Sequence, residues 1–193
     1  MIRLERQPLT PDVFDEQWRR VDVPPAWTAD EARLEYVLRD LAPDASVLDV
    51  GCGIGGFLPE LLQQRPGLRL TGLDVSPWAI EQMRRRAPAI TWVEGDAAAL
   101  PFPDGAFTMV VAADLLEVVP DPRAVVAEMA RVTVSRRNGI LKIISATPRR
   151  AERYENGPWT FEEGDIESML TQHCHTVGVR WTSTRRFYTG RRT

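Results

Sequence analysis

With 193 residues, 44% apolar and 26% charged, the chain is long enough for one substantial core and has the balance of an ordinary globular protein. No apolar run approaches the roughly 20 residues that cross a bilayer, which argues against membrane insertion, and the charged start MIRLERQPLT lacks the apolar centre of a secretory signal. A net charge of -3 gives no general electrostatic reason to bind nucleic acid, and two cysteines far apart in sequence, Cys52 and Cys174, fit reduced thiols and a cytoplasmic location.

In chain order, Phe14, Trp18 and Val21 stand at helical spacing and predict an amphipathic helix or a lid. Thr28-x-x-Glu31 is a capping-box pattern, and Leu34, Val37, Leu38 and Leu41 follow at helical spacing, so a second helix is expected to dock on the domain. Short apolar runs then alternate with helical periodicity. Strands are expected at 46–50, 69–74, 90–94, 108–112, 140–145, 177–181 and 186–189. Ser76-Pro77 opens one intervening helix, with Ile80 and Met83 on its apolar face and its end near Arg86. Pro120-Asp121-Pro122 opens another, which packs Val125, Val126, Met129, Ala130 and Val132 on the sheet. A last helix is expected over 161–172. Such alternation predicts an α/β fold with a mostly parallel sheet.

The stretch VLDVGCGIGG, residues 47 to 56, fits two cofactor fingerprints. Gly51-x-Gly53-x-x-Gly56 satisfies the dinucleotide pattern, in which glycines let the backbone turn sharply beneath a ligand before a helix begins. Asp49-x-Gly51-x-Gly53-x-Gly55 satisfies equally well the first motif of class I S-adenosylmethionine (SAM) methyltransferases. Asp74, about 20 residues on, can accept from ribose hydroxyls under either reading. Asp49, Asp74 and Asp96 each stand at the end of successive strands. In a sheet ordered 3-2-1-4-5 those ends line one crevice, where the winding direction reverses.

VLDVGCGIGG, TGLDVSPWAI, VEGDAAALPFPDGAFTMVV and LLEVVPDP, in this order and spacing, resemble the ubiquinone/menaquinone-type branch of class I SAM-dependent methyltransferases over residues 46 to 145. The resemblance implies a Rossmann-like, doubly wound, seven-stranded, mostly parallel sheet with one antiparallel strand near an edge and helices on both faces. It implies a single domain, with a helical lid or cap at 1–45, a SAM-binding core at 46–145 and a C-terminal helix and strand hairpin at 146–193. The implied cofactor set is Asp49, Gly51, Cys52, Gly53, Gly55, Asp74, Val75, Asp96, Ala97 and Ala112. In that family the Asp96 position receives the adenine amino group and the next backbone N–H, here that of Ala97, meets the ring. Val75 and Trp78 could wall the adenine, with helix packing an equal reading for Trp78, while Cys52 reads as a compact apolar filler.

Methyl transfer from a sulfonium needs chiefly an aligned acceptor and excluded water. Asp114 and Glu117, after the fourth strand, are the candidates for a general base, with Asp114 lining the acceptor side. Capping the helix near Pro120 is the commoner role for a residue placed like Glu117. Relatives often carry histidine where Val118 stands. Trp18, Trp27, Tyr154 and Trp159 could wall a small acceptor pocket, and ordinary loop packing explains them equally well. Arg185 or Arg186 could bind an anionic acceptor. His173-Cys174-His175 does not converge as a metal site and reads as a turn at the far end of the sheet, so no metal is expected. Ser135 to Gly139 replaces a lysine-proline-glycine-glycine turn of the relatives.

The expected activity is methylation of a small-molecule acceptor, with S-adenosylhomocysteine as the other product. A SAM-binding protein without turnover, serving as an interaction subunit or sensor, is the alternative. An NAD oxidoreductase ranks third, since no second catalytic domain and no tyrosine-lysine or histidine pair is evident. RNA methylation would need a local basic patch, for which RRFYTGRR, residues 185 to 192, is the one candidate. A solvated basic tail beside an edge strand is several times the commoner reading of that stretch.

Overall fold

The computed structural model describes residues 2–3, 10–20, 31–135, 139–147 and 159–192. Along the chain come β1 (Ile2–Arg3), α1 (Pro11–Arg20), α2 (Glu31–Leu38), β2 (Ser46–Val50), α3 (Phe57–Gln64), β3 (Arg69–Asp74), α4 (Pro77–Arg86), β4 (Thr91–Glu94), β5 (Met109–Ala113), α5 (Pro122–Val132), β6 (Ile140–Ala146), β7 (Trp159–Thr160), α6 (Asp165–Leu170), β8 (Cys174–Trp181) and β9 (Arg185–Arg192). Seven strands form one sheet in the order β4-β3-β2-β5-β6-β9-β8. The first five are mutually parallel, and β9 runs antiparallel to both β6 and β8. The expected Rossmann-like sheet with one reversed strand near an edge is therefore observed. A separate two-stranded pair of β1 and β7 is additional, because two residues carry no readable periodicity.

Alternation within the strands builds a core on each face. Leu48, Val50, Val110, Ala112, Leu141 and Ile143 face α5 and α6, whereas Val47, Met109, Val111, Ile140 and Ile144 face α2, α3 and α4. Lys142, the sole lysine, breaks the apolar pattern on the second face. Its fully buried ammonium is bound by Asp40, the Tyr36 carbonyl and Thr189 Oγ1, which pins the end of α2 to the sheet.

Local signals explain the helix starts. Ser76 Oγ accepts from Ala79 N at 3.0 Å, with Pro77 in the first turn of α4. Asp121 Oδ1 accepts from Arg123 N and Ala124 N, so Asp121 caps α5 and Glu117 does not. Helix α6 is shorter than the 161–172 predicted, because Gly164 at φ +89 turns the chain just before it.

The C-terminal arginine-rich stretch also departs from expectation. RRFYTGRR is strand β9, inserted between β6 and β8, and the exposed edge is β8. Arg186 donates to Phe161 O, Arg191 pairs with Asp40, and Arg192 donates to Ala130 O and His173 O. Internal partners thus take up charges that a solvated tail would have displayed. Strand β8 begins at Cys174, with a bulge before Thr176, and its start pairs with Arg192 at the end of the sheet away from the carboxyl ends of β2 and β3. His173 is a turn residue, but Cys174 and His175 are already strand. No cluster of metal-ligating side chains occurs among the described residues. No described helix is long and apolar enough to cross a membrane.

Candidate active site

The sheet order reverses between β2 and β5, and the site forms where their carboxyl ends diverge. Directly after β2, Gly51 and Gly53 adopt φ +71 and +54, a left-handed region that side chains disfavour. This conformation turns successive N–H groups toward the neighbouring strand. Gly51 N and Cys52 N donate to Leu73 O at 2.8 and 3.0 Å, and Gly53 N donates to Asp74 Oδ2 at 2.8 Å. The other oxygen of Asp74 accepts from Ser76 N at 3.0 Å. Burial pushes the Asp74 carboxyl up, against the pull of these N–H donors.

Asp49 is 1% exposed and lies against the same loop. Burial raises its carboxyl to about 6, although the Arg33 guanidinium stands 2.5 Å from Oδ1. Arg33 comes from α2 and stacks 3.8 Å over the Phe57 ring. Its part was missed in the sequence, although its place beside Leu34 and four before Val37 puts it at the border of the buried helix face. Cys52 is a buried filler whose thiol burial pushes well up, and its Sγ lies close above Gly72. Gly72 has no room for a side chain, since Trp92 already covers it.

Two side chains enclose the glycine loop. A Cβ on Gly51 would lie 2.7 Å from Leu115, and one on Gly53 would lie 2.6 Å from the Trp18 ring. Trp18, read from the sequence as a wall of an acceptor pocket or as ordinary loop packing, therefore packs on the glycine loop. Helix α1 is held there by Asp15, whose Oδ1 accepts from Ser76 Oγ and from Trp78 N at 3.3 Å. Arg19 adds a cation over the Trp78 ring at 5.7 Å.

Beyond β4, Asp96 closes a turn by accepting from Ala98 N at 2.8 Å and leaves its carboxylate exposed. Ala97 is buried, Val75 half-buried, and Ala112 is buried at the end of β5. Gly55 has its nearest atom, Cys52 O, 3.6 Å from where a Cβ would be.

On the other side of the switch point, Asp114 stands at φ +53, held by its N–H to Ile144 O at 2.8 Å. A non-glycine residue in that region is strained, and such strain concentrates at functional sites. Asp114 Oδ2 lies 2.9 Å from Arg185 Nη2, which β9 delivers at the level of Ala146. Alternation turns Arg186 the opposite way, where it is 6% exposed and stacked 4.5 Å from the Trp181 ring. Of the two arginines considered, only Arg185 reaches the site. Glu117 is buried beside it: Oε1 accepts from Ser145 Oγ at 2.6 Å and Ala146 N at 2.8 Å. Burial, with the charge of Asp114 adding to it, raises this carboxyl to about 7. Trp159 donates its indole N–H to Val119 O at 2.8 Å and its backbone N–H to Glu117 O, so it straps the 117–119 segment. Trp27 and Tyr154 lie outside the described residues.

A glycine loop whose amide is laced to a strand-end aspartate, a second buried carboxylate beneath it and an acidic turn beyond the next strand thus stand together at the switch point, where open α/β sheets bind ligands. Residues 47–136 match the family described as "Methyltransferase domain". The chain is 31% identical over 141 residues to the 2-methyl-6-phytyl-1,4-hydroquinone methyltransferase of Synechocystis sp., covering 72% of this chain and 43% of that protein. It is 33% identical over 143 residues to the ubiquinone biosynthesis O-methyltransferase of Xanthomonas campestris pv. campestris, covering 68% and 58%. The chain thus spans about half the length of these relatives. The geranyl diphosphate C-methyltransferase of Streptomyces coelicolor A3(2), solved with Mg2+, geranyl diphosphate and S-adenosyl-L-homocysteine, superposes with a TM-score of 0.72 at 15% identity, covering 97% of this chain and 100% of that one. That likeness concerns the fold.

Proposed function

We propose that the chain is a SAM-dependent methyltransferase that acts on a small-molecule acceptor, with hydroquinones and phenols of the kind named for its relatives as the acceptor class. The observation that carries this reading is the link from Gly53 N to Asp74 Oδ2 at the switch point. It fixes a buried carboxylate with spare lone pairs where an adenosyl ribose would present its two hydroxyls. When bound, SAM supplies an activated sulfonium methyl for in-line displacement, leaving S-adenosylhomocysteine.

The chain's own residues then have distinct tasks. Asp74 receives the ribose hydroxyls, Asp96 the adenine amino group, and Ala97 N–H and Val75 meet the ring. The loop of Gly51, Cys52, Gly53 and Gly55 lets the ligand approach the backbone, while Asp49 places negative charge beneath the cationic end. Asp114 lines the acceptor side and accepts a hydrogen bond from the acceptor's O–H, oriented by Arg185. Its main task is to align that oxygen with the sulfonium methyl, and the acceptor's proton leaves to Asp114 or to water as the new bond to the methyl forms. Glu117 holds the end of β6 and shapes the floor behind Asp114. The free, buried cysteines Cys52 and Cys174 support a cytoplasmic setting.

Calorimetric titration with SAM, S-adenosylhomocysteine and NAD, repeated on Asp74→Ala and Asp96→Ala, tests the reading. Both adenosyl ligands should bind, and Asp74→Ala should weaken them by about tenfold or more, as expected for loss of hydrogen bonds to a charged acceptor. Binding of NAD without SAM would overturn the assignment.

A further inference from the structure

We propose that the Trp18 indole N–H is a hydrogen-bond donor to the bound adenosyl ligand, delivered by α1 as a lid over the glycine loop. The inference rests on the cofactor site proposed above and deepens it. Three observations converge. First, the Trp18 ring lies against Gly53, the residue whose amide is tied to Asp74. Second, Trp18 Nε1 is buried yet has no acceptor among the described residues. A buried N–H without an acceptor is unfavourable by about 1–3 kcal/mol, so its retention at this spot calls for a partner that arrives from outside the chain. Third, α1 contributes no fully buried residue and is attached by side-chain contacts at one end of the site.

Those contacts form a latch. Asp15 places its carboxylate at the N-terminus of α4, accepting from Ser76 Oγ and Trp78 N, where the helix dipole favours negative charge. Ser76 is in turn bound through its N–H to Asp74. The latch, the ribose carboxylate and the glycine loop are thereby one connected hydrogen-bond system, and Trp18 stands one helical turn from Asp15 on α1. A ligand seated on Asp74 and the loop would lie beneath the indole. The chemistry that the N–H requires is an oxygen acceptor, which such a ligand offers both at its ribose and at its methionyl carboxylate. Trp18 thus serves the cofactor, and the acceptor pocket begins beyond it, toward Asp114.

The test is calorimetric binding of S-adenosylhomocysteine and of 5′-methylthioadenosine, which has the ribose but no carboxylate, to the wild-type chain and to W18F. The phenyl ring keeps the cover over Gly53 and removes only the donor. S-adenosylhomocysteine affinity should fall about tenfold in W18F. An equal loss with 5′-methylthioadenosine assigns the acceptor to the ribose, and a loss confined to S-adenosylhomocysteine assigns it to the carboxylate. In parallel, the Trp18 indole N–H resonance of 15N-labelled protein, identified by its disappearance in W18F, should shift at saturation with S-adenosylhomocysteine. Wild-type affinity in W18F, or a resonance that stays in place, would overturn the inference while leaving the cofactor site standing. Failure of the wild-type chain to bind S-adenosylhomocysteine would overturn both.

Discussion

Replacing Glu117 by glutamine should stabilise the protein at neutral pH and above and leave it unchanged only below about pH 4.5. The carboxyl is buried, and Oε1 accepts from Ser145 Oγ and Ala146 N, so a glutamine carbonyl can keep both bonds. Oε2 has no donor partner among the described residues, which makes the amide NH2 no worse placed than a protonated oxygen. Burial, and after it Asp114, raises the folded carboxyl from 4.5 to about 7. Because the folded value lies above the unfolded one, the group's contribution is fully present below about 4.5 and is lost as the pH rises through about 7. At about 1.36 kcal/mol per pH unit, the glutamine variant should gain about 3 kcal/mol at pH 8. For a chain of this length that is about 6–12 °C in Tm. Urea unfolding of both proteins at intervals from about pH 4 to 8 would show the curves meeting near pH 4, diverging between about 4.5 and 7 and staying apart by a constant margin above that. Parallel curves across that range would refute the claim that ionising Glu117 opposes folding.

Other perturbations test separate parts of the site. Arg33→Met removes the counter-charge of Asp49, a carboxylate that burial already disfavours, and should destabilise the fold by about 3–5 kcal/mol at pH 7.5. Adding Asp49→Asn should recover most of this in chemical denaturation; a double variant as unstable as the single one would show that the ion pair is not the cause. Gly53→Ala meets both a positive φ and the Trp18 ring, and should cost about 1–2 kcal/mol and most of the S-adenosylhomocysteine affinity. Gly55→Ala, with 3.6 Å to its nearest atom, should keep wild-type stability when the two glycine variants are compared in thermal melts. Asp114→Asn should lower the methyl-transfer rate toward a hydroquinone by about tenfold or more with unchanged S-adenosylhomocysteine affinity. An unchanged rate would remove Asp114 from the acceptor side.

The division between what could be read in advance and what could not follows interaction range. Asp49, Gly51, Gly53 and Asp74 belong to one strand-turn-helix-strand unit, so their meeting depends on local turn chemistry and on the spacing of two adjacent parallel strands. The caps Ser76 and Asp121 are still more local. Arg33 was not legible as the partner of Asp49, because only the docking of α2 brings it there. Trp18 was legible as an aromatic on an amphipathic helix, but the face it covers depends on Asp15 reaching Ser76 and Trp78, sixty residues away.

Strand β9 illustrates the limit most clearly. The four arginines of residues 185–192 look like a solvated tail when charge is counted along the chain. In three dimensions each arginine finds a carbonyl, a carboxylate or a ring, and the strand enters the sheet interior. Periodicity and turn residues by themselves determined the α/β fold, the seven strands and the carboxylate-glycine frame of the site, since those are written in short-range geometry. Tertiary packing alone decided which long side chains close the frame, because ion pairs and orphaned donors are set by desolvation and by contacts between elements that no local spacing encodes.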